Sequence, residues 1–387
     1  MTINPTIHGF CAPEFTAVKN AFINNFEAHN ELGAACSLYV NGENVVNLWG
    51  GWANKAQTDS WGKDTLSGFY SVGKALVAIC ALHACDQNNI SIDAPVSDVW
   101  PEYAQNGKES TTLRHFLTHQ AGMPAIRECL PEETLYDWNT LVSALAEQAP
   151  YWVPGSIHGY HTNTFGLLVG EFVCRISGLS IGQYLQKFIA GPIDADVYFG
   201  LKDKNLLRSA ELDWPDDKNI LASFKQIKTQ TLDPDAQMKL NAYSNPLGLS
   251  SIGVLNSAGW RQAELPSANG FGTATGLSRI FSALSNGGVF NGVRLVKEET
   301  LKEAYRLQCD GQDKMLEKHM RWGLGFQLTH PNRILGPNPN SFGHFGNGGS
   351  VAFADPDAKI SFAYTLNRIV RSWGSPQNKA LISAIYD

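Results

Sequence analysis

Strand-like patterns of apolar residues occur near both ends of the chain, whereas helical patterns fill its middle. In residues 13–30, four apolar side chains follow one another at intervals of three and four residues, which predicts an amphipathic helix. Residues 35–40 and 44–52 are mainly apolar and predict two strands. They are joined through Asn41 and Gly42, a pair that accepts the positive φ angles of a tight turn, so this segment predicts a hairpin.

Helical periodicity dominates between residues 71 and 286, where loops containing Pro and Gly separate the elements. The stretch 202–266 is polar and irregular, and no element is predicted there. The helices are predicted over residues 71–86, 112–118, 139–148, 165–176, 181–189 and 276–285.

Strand-like segments return towards the C-terminus. Residues 323–329, 350–354 and 360–366 predict three strands, and an Asp-Pro-Asp turn joins the last two. A helix over residues 377–386 is predicted to follow them.

This arrangement predicts a fold with two parts. Residues 1–70 and 287–387 are expected to build one α/β domain from both ends of the chain, and residues 71–286 a mainly helical, all-α domain. A cleft between two such domains is the natural place for a functional site.

The composition limits the partners of this protein. The chain has 387 residues, of which 43% are hydrophobic and only 17% are charged, so it can bury a large core. The net charge is −6, and no run of Lys or Arg provides a surface for nucleic acid or for an anionic membrane. Small or uncharged molecules are the expected partners.

The sequence predicts a cytoplasmic protein without a cofactor. The first residues lack the basic and apolar regions of a signal peptide, and no stretch approaches the roughly 18 apolar residues of a membrane span. Seven cysteines without CxxC spacing fit reduced thiols. No HExxH motif or cluster of ligating residues predicts a metal site, and no GxGxxG after a strand predicts a nucleotide site.

Ser71 and Lys74 have the spacing of a nucleophile and its activating amine. They open the helix predicted over residues 71–86 and lie one turn apart on one face of it. The amine can therefore lower the pKa of the hydroxyl or take its proton. The N-terminal dipole favours negative charge there, and the serine N–H is free to bind an oxyanion. On so apolar a helix, Lys74 is expected to have polar neighbours and a shifted pKa.

Two other serines have the sequence context of a nucleophile. The SxxK pattern also occurs at Ser60 and Lys63, but in a polar segment where both side chains would be solvated. Ser180 lies in a GxSxG pattern, which works as a nucleophile elbow only between a strand and a helix. Helical patterns lie on both sides of Ser180, so we expect it to cap the second helix. Ser71 is therefore the candidate nucleophile.

Four short motifs, in this order along most of the chain, resemble a known superfamily. They are Ser71-Val72-Gly73-Lys74, Pro154-Gly155-Ser156-Ile157-His158-Gly159-Tyr160-His161, Asn269-Gly270 before a helix, and Gly343-His344-Phe345-Gly346-Asn347-Gly348-Gly349. The chain is similar to the serine β-lactamase-related superfamily and, within it, looks closest to the family VIII carboxylesterases, relatives of class C β-lactamases and DD-peptidases. The resemblance implies an antiparallel sheet flanked by helices from both chain ends, with a helical domain inserted.

The resemblance also implies the roles of individual residues. Ser71 matches the family's nucleophile, Lys74 its partner lysine, and Tyr160 the tyrosine that relays the proton between nucleophile and leaving group. A lone phenol with a pKa near 10 is a poor base at neutral pH, but a neighbouring ammonium stabilises its phenolate. The backbone N–H groups of Ser71 and Asn347 are implied to form the oxyanion hole.

Other residues are expected to contact the substrate. His344, Phe345 and Gly346 match the element on the strand that lines the cleft in this family, where His344 either orients the substrate or is a satisfied structural histidine. Trp322 and Trp152 are expected to line a pocket for the acyl or alcohol group, because they lie near loops and offer large apolar surfaces.

Two departures from the family pattern favour an esterase. Thr162 stands where the family has the asparagine of Tyr-x-Asn, and Phe345 where it has the threonine of Lys/His-Thr-Gly. In β-lactamases those polar side chains help to hold the amide and carboxylate of the β-lactam, whereas a simple ester has no such groups. The resemblance thus implies a serine carboxylesterase that hydrolyses small esters with short acyl chains through an acyl-enzyme on Ser71.

Several alternatives remain open at the level of sequence. A β-lactamase, a DD-peptidase or an acyltransferase would share the fold, and a non-catalytic binding protein could have retained it. His158 and His161 flank Tyr160 and could instead supply the base of a Ser-His-Asp triad. An α/β-hydrolase that uses Ser180 is the last alternative.

Overall fold

A computed structural model of the chain describes residues 6–228, 230–331, 334–370 and 372–387. The strands in these residues are β1 (Ile7–Cys11), β2 (Gly33–Val40), β3 (Glu43–Gly51), β4 (Ser67–Gly68), β5 (Val197–Tyr198), β6 (Phe271–Gly272), β7 (Val289–Phe290), β8 (Val293–Arg294), β9 (Cys309–Gln312), β10 (His319–Trp322), β11 (Gln327–Leu328), β12 (Phe342–Phe345), β13 (Val351–Asp355) and β14 (Ile360–Leu366). The α-helices are α1 (Thr16–Ala28), α2 (Val72–Asn88), α3 (Leu113–Leu117), α4 (Trp138–Glu147), α5 (Thr164–Ser177), α6 (Ile181–Tyr184), α7 (Asp203–Leu207), α8 (Asp217–Ile227), α9 (Pro234–Ser244), α10 (Ala258–Gln262), α11 (Ala274–Ser285), α12 (Glu298–Tyr305) and α13 (Pro376–Ile385).

Nine of the described strands form one antiparallel sheet in the order β1-β3-β2-β14-β13-β12-β11-β10-β9. At its centre, β14 pairs with β2, from Ile360 opposite Val40 to Leu366 opposite Ala34. A strand from one end of the chain is therefore hydrogen-bonded to a strand from the other end. The sheet cannot be completed by either end alone.

The hairpin predicted near the N-terminus is confirmed. β2 and β3 pair along their length, and the turn between them has φ angles of 51° at Asn41 and 84° at Gly42. Positive φ at both positions is the conformation that asparagine and glycine tolerate and that matches the twist of the flanking strands.

Helices cover both faces of the sheet. On one face α1 packs against α13, and the apolar core there includes Val18, Phe22, Phe353, Phe362 and Leu381. On the other face α11 packs on β2, β13 and β14, while α2 packs on β12 and α5. This second layer positions the N-terminus of α2, which carries the candidate nucleophile, beside the end of the interior strand β12.

The helices of the middle layer are apolar because they lie inside the protein. Every residue of α2 from Val72 to Cys85 is buried, so this helix has no polar face, as expected for a helix surrounded by others. Among the described residues, no single helix has the length and apolar composition of a membrane span; Thr164–Ser177 and Ile181–Ile193 reach it only as a pair bent by 70°.

Most of the helices predicted from periodicity are confirmed to within a few residues, and their first turns show why they begin where they do. Thr112 and His115 form a capping box at α3, Asp137 accepts from the N–H of Thr140 at α4, and Ser375 caps α13. Such side chains satisfy backbone N–H groups that have no partner inside the helix.

The polar and short elements were not predicted. β1, β9 and β10 were missed, and only Gln327–Leu328 of the strand predicted over 323–329 is a strand. Four helices, α7 to α10, occupy the stretch 202–266 to which no element was assigned. α7 and α10 have only five residues each, and α9 buries polar as well as apolar side chains, so their apolar periodicity is weak. The apolar residues of α8 do recur with helical spacing, but the sequence analysis overlooked them in this polar stretch.

The predicted architecture, an antiparallel sheet flanked by helices from both chain ends with a mainly helical middle, is confirmed. The middle also contains β5 and β6, which join β4 in a small three-stranded sheet. In addition, α11 lies within residues 71–286 but packs on the large sheet. The exact division into domains at residues 70 and 287 stays a prediction.

A buried carboxyl lies where α1 leads into β2. Glu31 is only 8% exposed, and its Oε2 atom accepts a short hydrogen bond from the hydroxyl of Tyr364 in β14. Burial raises the pKa of Glu31 to about 7, although the hydrogen bond from Tyr364 and the charge of Arg368 oppose the shift. The acid is therefore held closer to its neutral form in the folded protein than in the unfolded chain.

Replacing Glu31 with Gln is expected to flatten the dependence of stability on pH. A carboxyl with a raised folded-state pKa contributes stability below its unfolded pKa, and this contribution is lost as pH rises through the folded pKa. The rise from 4.5 to about 7 corresponds to a loss of roughly 3 kcal/mol between pH 4 and pH 8. Urea unfolding at several pH values measures the difference, and parallel curves for the two proteins would contradict it.

Candidate active site

Ser71 lies at the N-terminus of α2, on the wall of the cleft. It is the N-cap residue of this helix, and its side chain makes no capping hydrogen bond, so its oxygen is not committed to the helix backbone. The preceding residue, Tyr70, has a φ of 47°, a left-handed conformation that costs free energy for a residue with a Cβ. This sharp bend presents Ser71 at the start of the helix.

Lys74 lies one turn along α2 and has no exposed surface. Its Nζ atom is 3.0 Å from Ser71 Oγ and 3.4 Å from the carbonyl oxygen of Ser267, and it lies 4.7 Å from the centre of the Tyr160 ring. Burial holds the pKa of Lys74 well below its usual value. A neutral amine has a lone pair, so Lys74 can accept a proton from the hydroxyl beside it.

Tyr160 contacts the same oxygen from a different part of the chain. Its hydroxyl is 2.9 Å from Ser71 Oγ, although the two residues are 89 positions apart. The ring is buried and stacks on Trp322, with 5.5 Å between centroids and 7° between planes. Among the described side chains, those of Lys74 and Tyr160 are the two that hydrogen-bond Ser71 Oγ. The structure thus brings together the three residues predicted to carry the chemistry.

Asp313 fixes the backbone that carries Tyr160. Its Oδ1 atom accepts hydrogen bonds from the N–H groups of Tyr160 at 3.0 Å and of Met315 and Leu316 at 2.9 Å. The carboxyl has no exposed surface, and burial raises its pKa against the effect of these donors. Asp313 therefore joins the turn after β9 to the loop that carries Tyr160. Sequence inspection missed it, because nothing in its local sequence indicates this contact.

The segment after β12 approaches the nucleophile closely. A Cβ atom added to Gly346 would lie 2.0 Å from Ser350 Oγ and 2.4 Å from the carbonyl oxygen of Phe69, so only glycine fits there. Ser350 Oγ also donates to Phe69 O at 3.0 Å. These contacts hold Asn347 beside the start of α2. Among the described residues, no acceptor takes a hydrogen bond from the backbone N–H of Ser71 or of Asn347.

The cleft in front of Ser71 has a volume of about 1420 Å³. Of the predicted site residues, Ser71, Tyr160, Phe345 and Asn347 line it. One part of its remaining wall comes from α8, α9 and the loops around them, within the stretch that the sequence left unassigned, and a larger part comes from residues after β9 and from α13 and its surroundings. No element was predicted in this polar stretch, so its part of the wall was not anticipated.

The other residues predicted to contact substrate, which are His344, Gly346, Trp152 and Trp322, are not among the described residues that line the cleft. His344 is fully buried on β12, its Nδ1 atom is 2.6 Å from the carbonyl oxygen of Phe345, and its ring lies 6.2 Å from those of Tyr160 and Trp322. Trp152 packs edge-on against His161, at 5.9 Å.

His161 has a structural position. Its Nδ1–H donates to the carbonyl oxygen of Gly159 at 2.6 Å, and its Nε2 accepts from the N–H of Met123 at 2.9 Å. Burial lowers the pKa of His161 to about 3, so the ring is neutral. Both ring nitrogens are therefore engaged by the backbone.

Within the described residues, no group of three or more His, Cys, Asp or Glu side chains could hold a metal ion.

The two rival serines lie outside the site. Ser180 forms a capping box with Gln183 at the start of α6, as predicted, and its hydroxyl is 2.9 Å from Glu264. Ser60 and Lys63 are both exposed, also as predicted. Neither serine has the buried amine and phenol that accompany Ser71.

The chain is similar to several known proteins. A family model described as Beta-lactamase matches residues 20–385. The esterase/beta-lactamase LipL of Mycobacterium tuberculosis is 28% identical over 370 residues, which are 94% of this chain and 83% of that protein. A solved structure of a family VIII carboxylesterase is 36% identical with a TM-score of 0.89, and a penicillin-binding protein homologue from Caulobacter crescentus is 35% identical with a TM-score of 0.88. Each structural match covers 98% of this chain and 99% of the other.

Replacing Asp313 with Ala is expected to destabilise the protein by about 2 kcal/mol or more, because three backbone donors lose their buried acceptor. Asp313→Asn keeps an oxygen at that position and should cost less than about half as much. The midpoints of urea unfolding measure both effects. Equal losses in the two variants would show that the acceptor atom does not matter.

Proposed function

This chain belongs to the β-lactamase family and is a serine hydrolase, and from that premise we propose that it hydrolyses small carboxylic esters through an acyl-enzyme on Ser71. The observation that carries the proposal is the contact of one serine oxygen with an amine at 3.0 Å and a phenol at 2.9 Å. Both groups lie within the range of direct proton transfer. The oxygen also faces a cleft large enough for a small ester.

In the proposed first step, Ser71 Oγ attacks the ester carbonyl and gives its proton to Lys74, acting together with Tyr160. The lowered pKa of Lys74 supports this role, since an ammonium could not accept a proton. The same pair then returns the proton to the leaving alcohol as the bond between the carbonyl carbon and the alkoxy oxygen breaks. In the second step, water attacks the acyl-enzyme, its proton passes to the pair, and Ser71 recovers a proton as the acid leaves.

Two backbone N–H groups are proposed to stabilise the negative oxygen of each tetrahedral intermediate. The N–H groups of Ser71 and Asn347 fit this role because both residues line the cleft and neither N–H is engaged elsewhere among the described residues. The N-terminus of α2 adds a favourable dipole. The tight contact of Gly346 with Phe69 supports a fixed distance between the two donors.

An ester is favoured over a β-lactam by the side chains at two positions. Phe345 places an aromatic ring on the cleft wall where the family's pattern has a hydroxyl. Asn163, which follows Thr162, donates to the carbonyl oxygen of Ala242 and to Ser250 Oγ, both at 2.8 Å, so its amide group is committed to the protein. An ester requires neither group. Similarity to a carboxylesterase supports the same choice.

Replacing Ser71 with Ala is expected to lower kcat/KM for p-nitrophenyl butyrate by at least about 10³-fold, because the acyl group loses its attachment site. Ser180→Ala is the matched control. It removes a helix cap at a cost of about 1 kcal/mol and leaves turnover within twofold. Full activity of the Ser71→Ala variant would remove the proposal. Assays with nitrocefin on the same preparations compare esterase with β-lactamase activity.

The rate of ester hydrolysis is expected to rise with pH through the pKa of Lys74 and to reach its plateau well below pH 10.5. The sign follows from the need for a neutral amine, and the position of the plateau follows from burial of that amine. Lys74→Met should abolish this rise of the rate with pH and lower kcat/KM by about 10²–10⁴-fold. It should not destabilise the fold, since it replaces a buried amine with an apolar side chain. A rate that still rises at pH 10.5 would contradict a lowered pKa.

A further inference from the structure

We infer that one wall of the cleft, formed by Tyr70, Trp214, Ile220, Phe224 and Ile252, is a binding subsite for an alkyl chain of the ester. These five residues are called the α8 wall, after the helix that contributes Ile220 and Phe224. The inference rests on the proposed function, because it names the class of substrate that would react at Ser71. That class is esters with a medium-length linear alkyl group.

The apolar face of helix α8 is only partly covered by other described residues of the protein. Its apolar residues Ile220, Leu221, Phe224 and Ile227 recur with helical spacing, yet none of them is buried. Ile220 and Phe224 line the cleft that contains Ser71. The apolar face is therefore directed into a space that is open to a ligand, and part of it stays in contact with water until an apolar group covers it.

A short chain of contacts connects α8 to the nucleophile. The hydroxyl of Tyr70, the residue before Ser71, is 3.1 Å from Ser251 Oγ. Two residues further along, the N–H of Gly253 donates to Asp217 Oδ1 at 2.9 Å, at the first turn of α8. A Cβ atom on Gly253 would lie 3.0 Å from Leu221, so the helix packs directly on this loop. These contacts hold α8 next to the segment that bends into Ser71.

The remaining members of the α8 wall fill the space between. Tyr70 and Trp214 belong to one apolar cluster that also contains Leu212 and Leu255. Ile252 lies between Ser251 and Gly253 and lines the cleft. The wall is thus apolar from the residue beside the nucleophile to α8. The charged residues that line the cleft, Glu317 and Lys318 among them, come from other parts of the chain.

Such a wall suits an alkyl chain better than a polar group. Each buried methylene is worth about fourfold in binding, so a chain of several methylenes gains much more than an acetyl group. The chain can belong to the acid or to the alcohol of the ester, since both project from the carbon that Ser71 attacks. The α8 wall is therefore a determinant of chain length that acts only on the larger substrates.

The experiment compares four esters with wild-type protein and the variant Phe224→Ala. The acid is varied with p-nitrophenyl acetate and p-nitrophenyl octanoate. The alcohol is varied with ethyl acetate and octyl acetate, whose hydrolysis is measured by the release of acid. The expected result is a loss of about tenfold in kcat/KM for octanoate, for octyl acetate or for both, with less than a twofold change for the short esters. The affected side identifies which part of the ester occupies the wall.

The controls separate this inference from the proposed function. Lys225→Ala changes the exposed neighbour of Phe224 and should alter none of the four rates, and Ile220→Ser should repeat the effect of Phe224→Ala. Retained turnover of p-nitrophenyl acetate shows that the variants are folded. If the ratio of kcat/KM for the long esters to kcat/KM for the short esters is unchanged in both Phe224→Ala and Ile220→Ser, the subsite is overturned. That result would leave a Ser71-dependent esterase intact. Turnover that does not depend on Ser71 would overturn the proposed function instead.

Discussion

Burial of the Lys74 amine is the constraint on which the rest of the site depends. An ammonium in an apolar helix is costly, and the protein supplies few polar partners for it: the oxygen of Ser71, the carbonyl oxygen of Ser267 and the face of the Tyr160 ring. The favourable solution is a neutral amine, which is also the form able to accept a proton. Burial thus makes an ammonium costly at this position and, for the same reason, leaves a neutral amine that can take the proton of Ser71.

The geometry around Ser71 is maintained by contacts between distant parts of the chain. Asp313 positions the backbone of Tyr160, and Trp322 supports its ring from behind. On the opposite side, Ser350 and Gly346 hold the segment after β12 against Phe69. The three reacting groups therefore occupy positions set by separate layers of the fold, which explains why they meet although they are far apart in sequence.

The sequence predicted the parts of this protein whose local pattern reflects their environment. The buried helix α2, the hairpin through Asn41 and Gly42, and the cap at Ser180 all have local causes, and all are confirmed. Family resemblance, rather than local pattern, placed Tyr160 with Ser71. Asp313 was missed because a long-range carboxyl contact has no local pattern. The helices between residues 202 and 266 were missed because the stretch as a whole is polar, although the apolar residues of α8 recur with helical spacing.

The pairing of β2 with β14 has a consequence for synthesis. A chain leaving the ribosome makes β2 and β3 early, but the other neighbour of β2 in the sheet, β14, is encoded more than 300 residues later. Until Ile360–Leu366 emerges, β2 has an unpaired edge, and unpaired edges promote association with other chains. Such a non-local pairing also slows folding. For most of its translation, a nascent chain of this protein therefore has an unpaired β2 edge that strands of other chains can bind.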